Sequence, residues 1–159
     1  LTGNKKDALF HVEKSVQLDP SNTEAIRQLA TLYYDNGEKE KSVETFEEAI
    51  KQEDDKIIKA NLYFNLGVLY MQLDQFEDAE DNFFSAYDLN PEDTEALSGI
   101  AQTFENAEKW RRASKFYREL IELEPENPDH YKGMARVLIK QGDMDGATKY
   151  FEKAKKLGG

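Results

Sequence analysis

The sequence predicts an all-α protein built as a solenoid of antiparallel helical hairpins. Small residues recur along the chain with a period of 34 residues, and apolar residues between them are spaced three and four apart. Apolar spacing of this kind is typical of amphipathic helices. Self-similarity at such a period is typical of repeat proteins, in which each unit buries its apolar face against its neighbours.

The first helix of each hairpin is predicted from a small residue that directly follows an apolar one. The small positions are Ala30, Gly67, Ala101 and Ala135. Large apolar residues stand four positions earlier in each unit, at Ile26, Tyr63, Leu97 and Tyr131. A glycine inside a helix costs about 1 kcal/mol relative to alanine. We therefore expect Gly67 to lie where two helices approach closely.

The second helix repeats in phase with the first. Its small positions are Ser42, Ala79, Ala113 and Ala147, and each is followed four residues later by a ring, at Phe46, Phe83, Tyr117 and Phe151. Gly37 and Gly142 interrupt the helical pattern between the two helices of their units, as glycine does in turns. Pro91 and Pro125 end two of the units, and Asp93 or Thr94 is expected to cap the helix that follows the first of them.

The segment from Tyr63 to Pro91 carries the pattern YFNLGVLY…A…F..A….P, which resembles the signature of the tetratricopeptide repeat. The resemblance implies a right-handed superhelical solenoid whose first helices line a concave groove for extended peptides or helices. It covers the whole chain as one domain, residues 1–159. Its units are a half repeat (1–22), a repeat with a three-residue insertion (23–59), two regular repeats (60–93 and 94–127) and a terminal repeat with a polar cap (128–159).

The two ends and the insertion depart from the regular repeat. Residues 1–22 hold only a second helix, with a turn at Thr2-Gly3 before it, so an apolar side would lack its partner and could mediate self-association through residues 7–18. Lys155 stands where the earlier units have a packing residue, which indicates a polar terminal cap. The insertion is expected to add a helical turn capped by Asp54 or Asp55. Because it begins at Leu1, we interpret the chain as part of a larger protein.

Composition excludes several classes of function. The formal net charge of −11 argues against a nucleic-acid partner, since phosphate contacts need many lysines and arginines. No apolar run approaches the roughly 20 residues of a membrane span. Because the chain has no cysteine, structural disulfides are excluded. The cysteine count does not distinguish a cytoplasmic from a periplasmic location.

No catalytic, metal-binding or cofactor motif is present, so we predict no enzyme activity, no metal and no cofactor. The two histidines, His11 and His130, are expected on a helix surface or a seam between helices. Runs of carboxylates such as EDAED on a helix are usually a solvated face. Trp110 falls at the turn between two helices and is interpreted as a packing residue, with ligand stacking as the alternative.

A peptide-binding groove is predicted on the solvent-facing stripe of the first helices. Its candidate residues are Tyr34, Phe64, Asn65, Val68, Met71, Gln102, Lys132, Arg136 and Lys140. Phe64, Val68 and Met71 form an apolar strip, and the three cations form a basic strip. Gly99 and Gly133 are expected to leave room for a ligand backbone. The alternative is that the apolar strip packs on the adjacent hairpin and that the cations balance nearby acids.

The sequence thus predicts a non-catalytic scaffold for protein–protein interaction. Its peptide or protein partner would present a hydrophobic anchor to the apolar strip and an acidic cluster to the basic strip. The carboxylate clamp of some family members is absent, because Asn65 matches it but Glu95 and Gly99 stand where its lysine and arginine belong. Two alternatives remain: a self-associating structural module, and a regulatory arm of a larger enzyme.

Overall fold

The computed structural model describes residues 3–158, with side chains from Asp7 onward, and this part of the chain consists of nine α-helices joined by short loops. Their bounds are α1 Gly3–Leu18, α2 Thr23–Asp35, α3 Lys39–Gln52, α4 Lys56–Gln72, α5 Phe76–Leu89, α6 Thr94–Asn106, α7 Trp110–Leu123, α8 Pro128–Gln141 and α9 Met144–Lys156. The all-α prediction is confirmed, since no strand occurs in the described residues.

The helices form four successive hairpins, α2–α3, α4–α5, α6–α7 and α8–α9, with α1 packed on α2. Each helix packs against the next one in the chain. The backbones of α2 and α4, and of α4 and α6, also approach one another, whereas no comparable approach joins the second helices of successive hairpins in residues 3–158. The first helices therefore lie side by side on the inner face of the solenoid.

Side-chain caps explain where several helices begin. Asp55 accepts hydrogen bonds from the backbone N–H groups of Ile57 and Ile58, and Asp93 accepts one from Glu95. A cap of this kind stabilises a helix by about 0.5–2 kcal/mol. The expected cap at Asp93 and the extra turn capped by Asp55 are both confirmed, since α4 starts at Lys56 and runs for 17 residues.

The turns inside the four hairpins share one backbone conformation. Gly37 and Gly142 adopt positive φ angles of 80° and 84°, and the equivalent positions in the middle hairpins are Asp74 and Glu108, with φ angles of 58° and 57°. Left-handed backbone is easy for glycine and uncommon for other residues. Only the two glycines are recognisable as turn signals in the sequence, although all four positions adopt the left-handed backbone conformation.

At two junctions an aromatic ring of the second helix packs against glycines of the first helices. Phe83 is 1% exposed and lies between α4 and α6. A Cβ atom built on Gly67 would lie 2.9 Å from the Phe83 ring, and one built on Gly99 would lie 2.6 Å from it. The expectation of a close approach at Gly67 is confirmed, and the space that glycine leaves is filled by the second helix of its own hairpin.

The expectation that Gly99 and Gly133 leave room for a ligand backbone is wrong. Both glycines are buried, Gly99 against the Phe83 ring and Gly133 against Tyr117, where an added Cβ atom would lie 2.2 Å from the ring. The two missing side chains thus make room for rings from the preceding hairpin. Close packing inside the protein leaves no such space for a ligand.

The first described helix differs in part from its prediction. Thr2 lies outside the described residues, and Gly3 already belongs to α1, so no turn is seen at Gly3. Along α1, Phe10 and Leu18 are 60% and 79% exposed. The helix is joined to α2 by the Tyr33 hydroxyl, which donates a hydrogen bond to Glu13 Oε1 at 2.8 Å.

The terminal hairpin exposes both charged and apolar side chains. Lys155 is exposed. Phe151, at the position of the buried rings Phe46, Phe83 and Tyr117, is 42% exposed. The same residue type in the same helix position is therefore buried only where another first helix lies beside it.

Candidate functional site

The candidate site is the inner face formed by α2, α4, α6 and α8. The predicted groove residues all lie on these four helices. Val68, Gln102, Arg136 and Lys140 are exposed, while Tyr34, Phe64, Asn65, Met71 and Lys132 are partly buried. The side chains that line the surface differ between the α2–α4 junction and the α6–α8 junction.

A small cleft of about 90 Å³ lies between α2 and α4. Its lining combines Tyr34 and Asn65 with the apolar side chains of Phe46, Val68 and Leu69. The Tyr34 hydroxyl donates a hydrogen bond to the backbone oxygen of Gln72 at 3.3 Å and so ties the two helices together. Arg27, Thr31 and Gln72 also line the cleft, so this end of the groove is shallow and mixes apolar with polar side chains.

The apolar strip in the middle of the face is mostly used for packing. The Phe64 ring lies 5.5 Å from the Phe83 ring, centroid to centroid. The Met71 sulfur lies 2.9 Å from the Thr103 hydroxyl, which donates to it. Val68 is the exposed member of the strip, with 36% of its surface accessible. Phe64 therefore packs within its own hairpin and Met71 packs on the adjacent one, and Val68 is the member of the strip that stays exposed.

A larger cleft of about 490 Å³ opens between α6 and α8. The backbones of these two helices do not approach as those of α2, α4 and α6 do, and the Tyr117 ring packs against Gly133 of α8. The cleft is lined by Thr94, Glu95, Ser98, Gln102, Tyr117, Glu124, Asn127, Asp129, His130 and Arg136. Nearly all of these side chains are polar, so this end of the groove is suited to hydrogen bonding.

A bidentate ion pair crosses the cleft. Arg136 Nε and Nη2 donate to the Glu105 carboxylate at 2.7 and 3.0 Å, and the Tyr117 hydroxyl donates to it at 2.6 Å. Burial tends to raise the pKa of Glu105, but the hydrogen bonds from Arg136 and Tyr117 together outweigh it and the pKa is lowered. Burial, followed by the hydrogen bond and charge of Glu105, raises the pKa of Tyr117. The two pKa shifts both favour an ionised Glu105 carboxylate and a neutral Tyr117 phenol.

A second hydrogen-bonded cluster closes the end of the cleft around Glu124. Its carboxylate accepts from the Thr94 hydroxyl, from Asn127 Nδ2 at 2.9 Å and from His130 Nε2 at 2.7 Å. The hydrogen bonds from Thr94, Asn127 and His130, in that order, lower the pKa of Glu124 from 4.5 to about 2. Since an ionised carboxylate only accepts, the Nε2 atom of His130 donates in this pair. The prediction of a histidine at a seam is confirmed for His130, which is 6% exposed.

This cluster makes stability depend on pH. Because the pKa of Glu124 is lower in the folded state than in the unfolded state, the folded protein binds fewer protons, and its stability falls as the pH drops from about 4.5 to about 2. We expect Glu124→Gln to reduce the difference in urea midpoint between about pH 6 and about pH 3. Glu95→Gln is the control, because this substitution removes the same charge. The Glu95 carboxylate accepts no side-chain hydrogen bond within residues 7–158. An equal pH response in both variants would contradict this account.

The cations of the predicted basic strip all have neighbours within the chain. Lys132 pairs with Asp129 at 3.1 Å, Arg136 pairs with Glu105, and Lys140 Nζ lies 6.0 Å from the centre of the Trp110 ring. The structure thus favours the alternative of nearby acids for Lys132 and Arg136, whereas Lys140 has no ion-pair partner in residues 7–158. Glu95 and Glu124 add further negative charge to the cleft.

Spacing along the first helices predicts only part of the larger cleft. Glu95, Ser98 and Asp129 lie on the predicted solvent-facing stripe, whereas Tyr117 and Glu124 come from outside it. The Tyr117 hydroxyl has a sequence signal too, since tyrosine there replaces the phenylalanine of the other units. The Glu124 cluster joins residues 30 positions apart, and spacing within one helix does not reveal it.

Two other properties of the described residues bear on function. No group of three or more histidine and carboxylate side chains in residues 7–158 could hold a metal ion. No helix among those described is both long and apolar enough to cross a lipid bilayer.

The stacked hairpins, the small positions and the buried aromatic rings define a helical-repeat protein whose first helices share one face. Models of the tetratricopeptide repeat match residues 24–56, 60–93 and 98–159. The chain belongs to the tetratricopeptide repeat family.

Curated relatives match most of this chain with a small part of their own length. It is 26% identical over 150 residues to anaphase-promoting complex subunit 3 of Schizosaccharomyces pombe, covering 94% of this chain and 22% of that protein. It is 28% identical over 144 residues to the BBSome complex member BBS4 of Bos taurus, covering 89% and 27%. The chain thus spans about a quarter of the length of these relatives.

Solved structures share the fold across nearly all of the chain. A crystal structure of MamA superposes with a TM-score of 0.78 at 24% identity, covering 98% of this chain and 90% of that one. A crystal structure of YrrB, described as a repeat protein of this family with an unusual peptide-binding site, gives a TM-score of 0.71 at 21% identity, covering 97% and 78%. At these identities the likeness establishes the fold.

Proposed function

We propose that this protein is a non-catalytic scaffold that binds a peptide or helix of a partner protein along its inner face. The observation that carries the proposal is the open cleft of about 490 Å³ between α6 and α8, on the face lined by the first helices. Clefts of this size commonly bind small ligands or short segments. The cleft lies on the same side of the solenoid as the predicted groove residues of α2 and α4.

The two ends of the face suit different parts of a ligand. An apolar side chain would contact Val68 and Tyr34 between α2 and α4, where apolar and polar side chains line the cleft together. The larger cleft has Glu95, Asp129 and Gln102 as accessible polar groups. Since Arg136 and Lys132 already have carboxylate partners, we replace the acidic cluster expected of the ligand with a segment that carries hydrogen-bond donors or a basic residue.

The relatives are consistent with a binding role. Two of them are named as members of multi-protein complexes, and the YrrB structure is described as having a peptide-binding site. The chain spans about a quarter of the length of these curated relatives. A regulatory role toward an enzyme domain elsewhere in the same protein is therefore a further proposal.

Self-association is the second candidate function, and the exposed side chains of α1 favour it. Phe10 and Leu18 are 60% and 79% exposed on this helix, and exposed apolar surface tends to find a partner. Sedimentation of the wild type and of Phe10→Ser would distinguish the two functions. A concentration-dependent dimer lost in Phe10→Ser would support self-association through residues 7–18.

Peptide selection followed by titration tests the groove. The immobilised protein would select peptides from a displayed random library, and calorimetry would measure their affinity for variants. We expect Val68→Asp to weaken a selected peptide at least tenfold, about 1.4 kcal/mol, because it places a charge where an apolar anchor is buried. Ile57→Asp is the matched control, since Ile57 is an exposed apolar residue three turns earlier in α4 and outside both clefts.

The outcome that would contradict the proposal is equally definite. Peptides that bind the wild type, Val68→Asp and a Gln102→Ala variant with equal affinity would lie outside the inner face. Arg136 is a poor probe for this test because its substitution would leave Glu105 with an unpaired, partly buried charge and disturb folding as well as binding.

A further inference from the structure

A second concave surface lies at the edge of the solenoid, where the turn between α6 and α7 is next to the C-terminal end of α8. It has a volume of about 610 Å³ and is lined by Glu108, Lys109, Trp110, Arg111, Arg112 and Gln141. None of these residues lines the clefts of the inner face. A ligand could therefore occupy this surface, called here the Trp110 surface, while the groove is in use.

Trp110 supplies the apolar part of the surface. The residue is partly buried, packed on one side against the core. It lines the concavity, and the ammonium group of Lys140 lies 6.0 Å from the centre of its ring. Packing alone accounts for the buried part of the ring, as the sequence indicated. The accessible part is a flat apolar surface next to cations.

The Trp110 surface is basic in a chain whose net charge is −11. Lys109 and Arg112 lie near carboxylates of α5, at 3.6 Å from Glu77 and 3.5 Å from Glu80. Arg111 is exposed and has no carboxylate within ion-pair distance in residues 7–158. Glu108 also lines the surface, but neither Arg111 nor Lys140 on the neighbouring helix has an ion-pair partner in residues 7–158, so the cations outnumber the acids at this edge.

We propose that the Trp110 surface is a second interaction site, which binds an acidic peptide segment of a partner protein. An apolar side chain of the segment would lie against Trp110, and its carboxylates would pair with Arg111 and Lys140. Charge complementarity favours this occupant over a nucleic acid. A long polyanion would be repelled by the rest of an acidic protein, whereas a short segment needs only the local positive charge. The volume also matches a short segment.

The single tryptophan of the chain makes the test direct, because all tryptophan emission comes from Trp110. The probes are three acetylated hexapeptides, EEFLEE, QQFLQQ and KKFLKK, and a single-stranded hexanucleotide. We expect a saturable change in emission with EEFLEE that weakens as salt is added, and a much weaker response to the other three probes. Arg111→Glu should weaken EEFLEE at least about tenfold.

The matched control is Arg118→Glu. It makes the same charge change on the exposed side of the same helix, outside the concavity, and should leave the affinity for EEFLEE within about twofold of wild type. Arg111→Glu places an acid in the first turn of α7, which favours the helix, so loss of folding would not explain a loss of binding. The proposal is overturned by no saturable response to EEFLEE, by equal binding of all peptides or of the hexanucleotide, or by equal weakening in the two variants.

Discussion

Replacing Phe83 with alanine is expected to lower the free energy of unfolding by about 3–5 kcal/mol. The Phe83 ring is 1% exposed and fills the space that Gly67 and Gly99 leave between α4 and α6. Removing it loses the burial of a large ring and opens a cavity that two glycine-bearing helices cannot refill. Because domains of this size are stable by only about 5–15 kcal/mol, the loss would be evident in urea or thermal denaturation.

Phe151→Ala is the matched control for this prediction. Phe151 stands at the same position of the last hairpin and is 42% exposed, with no first helix beside it in the described residues. Its replacement is expected to cost about 1 kcal/mol or less. Similar losses in both variants would show that the junction between first helices is not the source of the stability.

Replacing Gly133 with leucine is expected to destabilise the last hairpin by about 1–3 kcal/mol or more. Even the Cβ atom would lie 2.2 Å from the Tyr117 ring. The ring has little freedom to move, because its hydroxyl donates to Glu105 at 2.6 Å and lies 3.3 Å from Arg136 Nη2. Overpacking should therefore separate α8 from α7, and it would be measured as a lower denaturation midpoint with increased hydrogen exchange in α8.

The three glycines provide an internal comparison. Added Cβ atoms would lie 2.2, 2.6 and 2.9 Å from the nearest ring atoms at Gly133, Gly99 and Gly67. Alanine gains about 1 kcal/mol over glycine in a helix, so alanine variants measure the clash against that gain. We expect the stability loss to follow the order Gly133, Gly99, Gly67, and Gly67→Leu to be destabilised as well. A stabilised Gly133→Ala variant would show that the ring relaxes easily.

Much of the fold followed from the sequence because its causes are local and periodic. The 34-residue period, the apolar spacing and the caps at Asp55 and Asp93 depend on residues that are neighbours in one helix or one loop. The same phase identified which face of each first helix would look inward. It also singled out Gly67, since a glycine in a regular helix requires a packing reason.

The site depended on contacts between distant residues, which periodicity does not specify. Glu105 and Arg136 are 31 positions apart, and their pairing neutralises one cation of the predicted basic strip. Turn conformation at Asp74 and Glu108 is likewise left-handed without a glycine to signal it. A repeat pattern states which face a side chain is on, but the partner that it meets there depends on the neighbouring hairpin.

The sequence by itself therefore determined the family, the helical hairpins and the solvent-facing side of the first helices, because burial of periodic apolar residues decides these. Only the tertiary structure decided what fills the space beside Gly99 and Gly133, which cations are neutralised and where the clefts open. Those features arise when rings and charges from separate hairpins are brought within a few ångströms, where close packing and short-range electrostatics allow one arrangement.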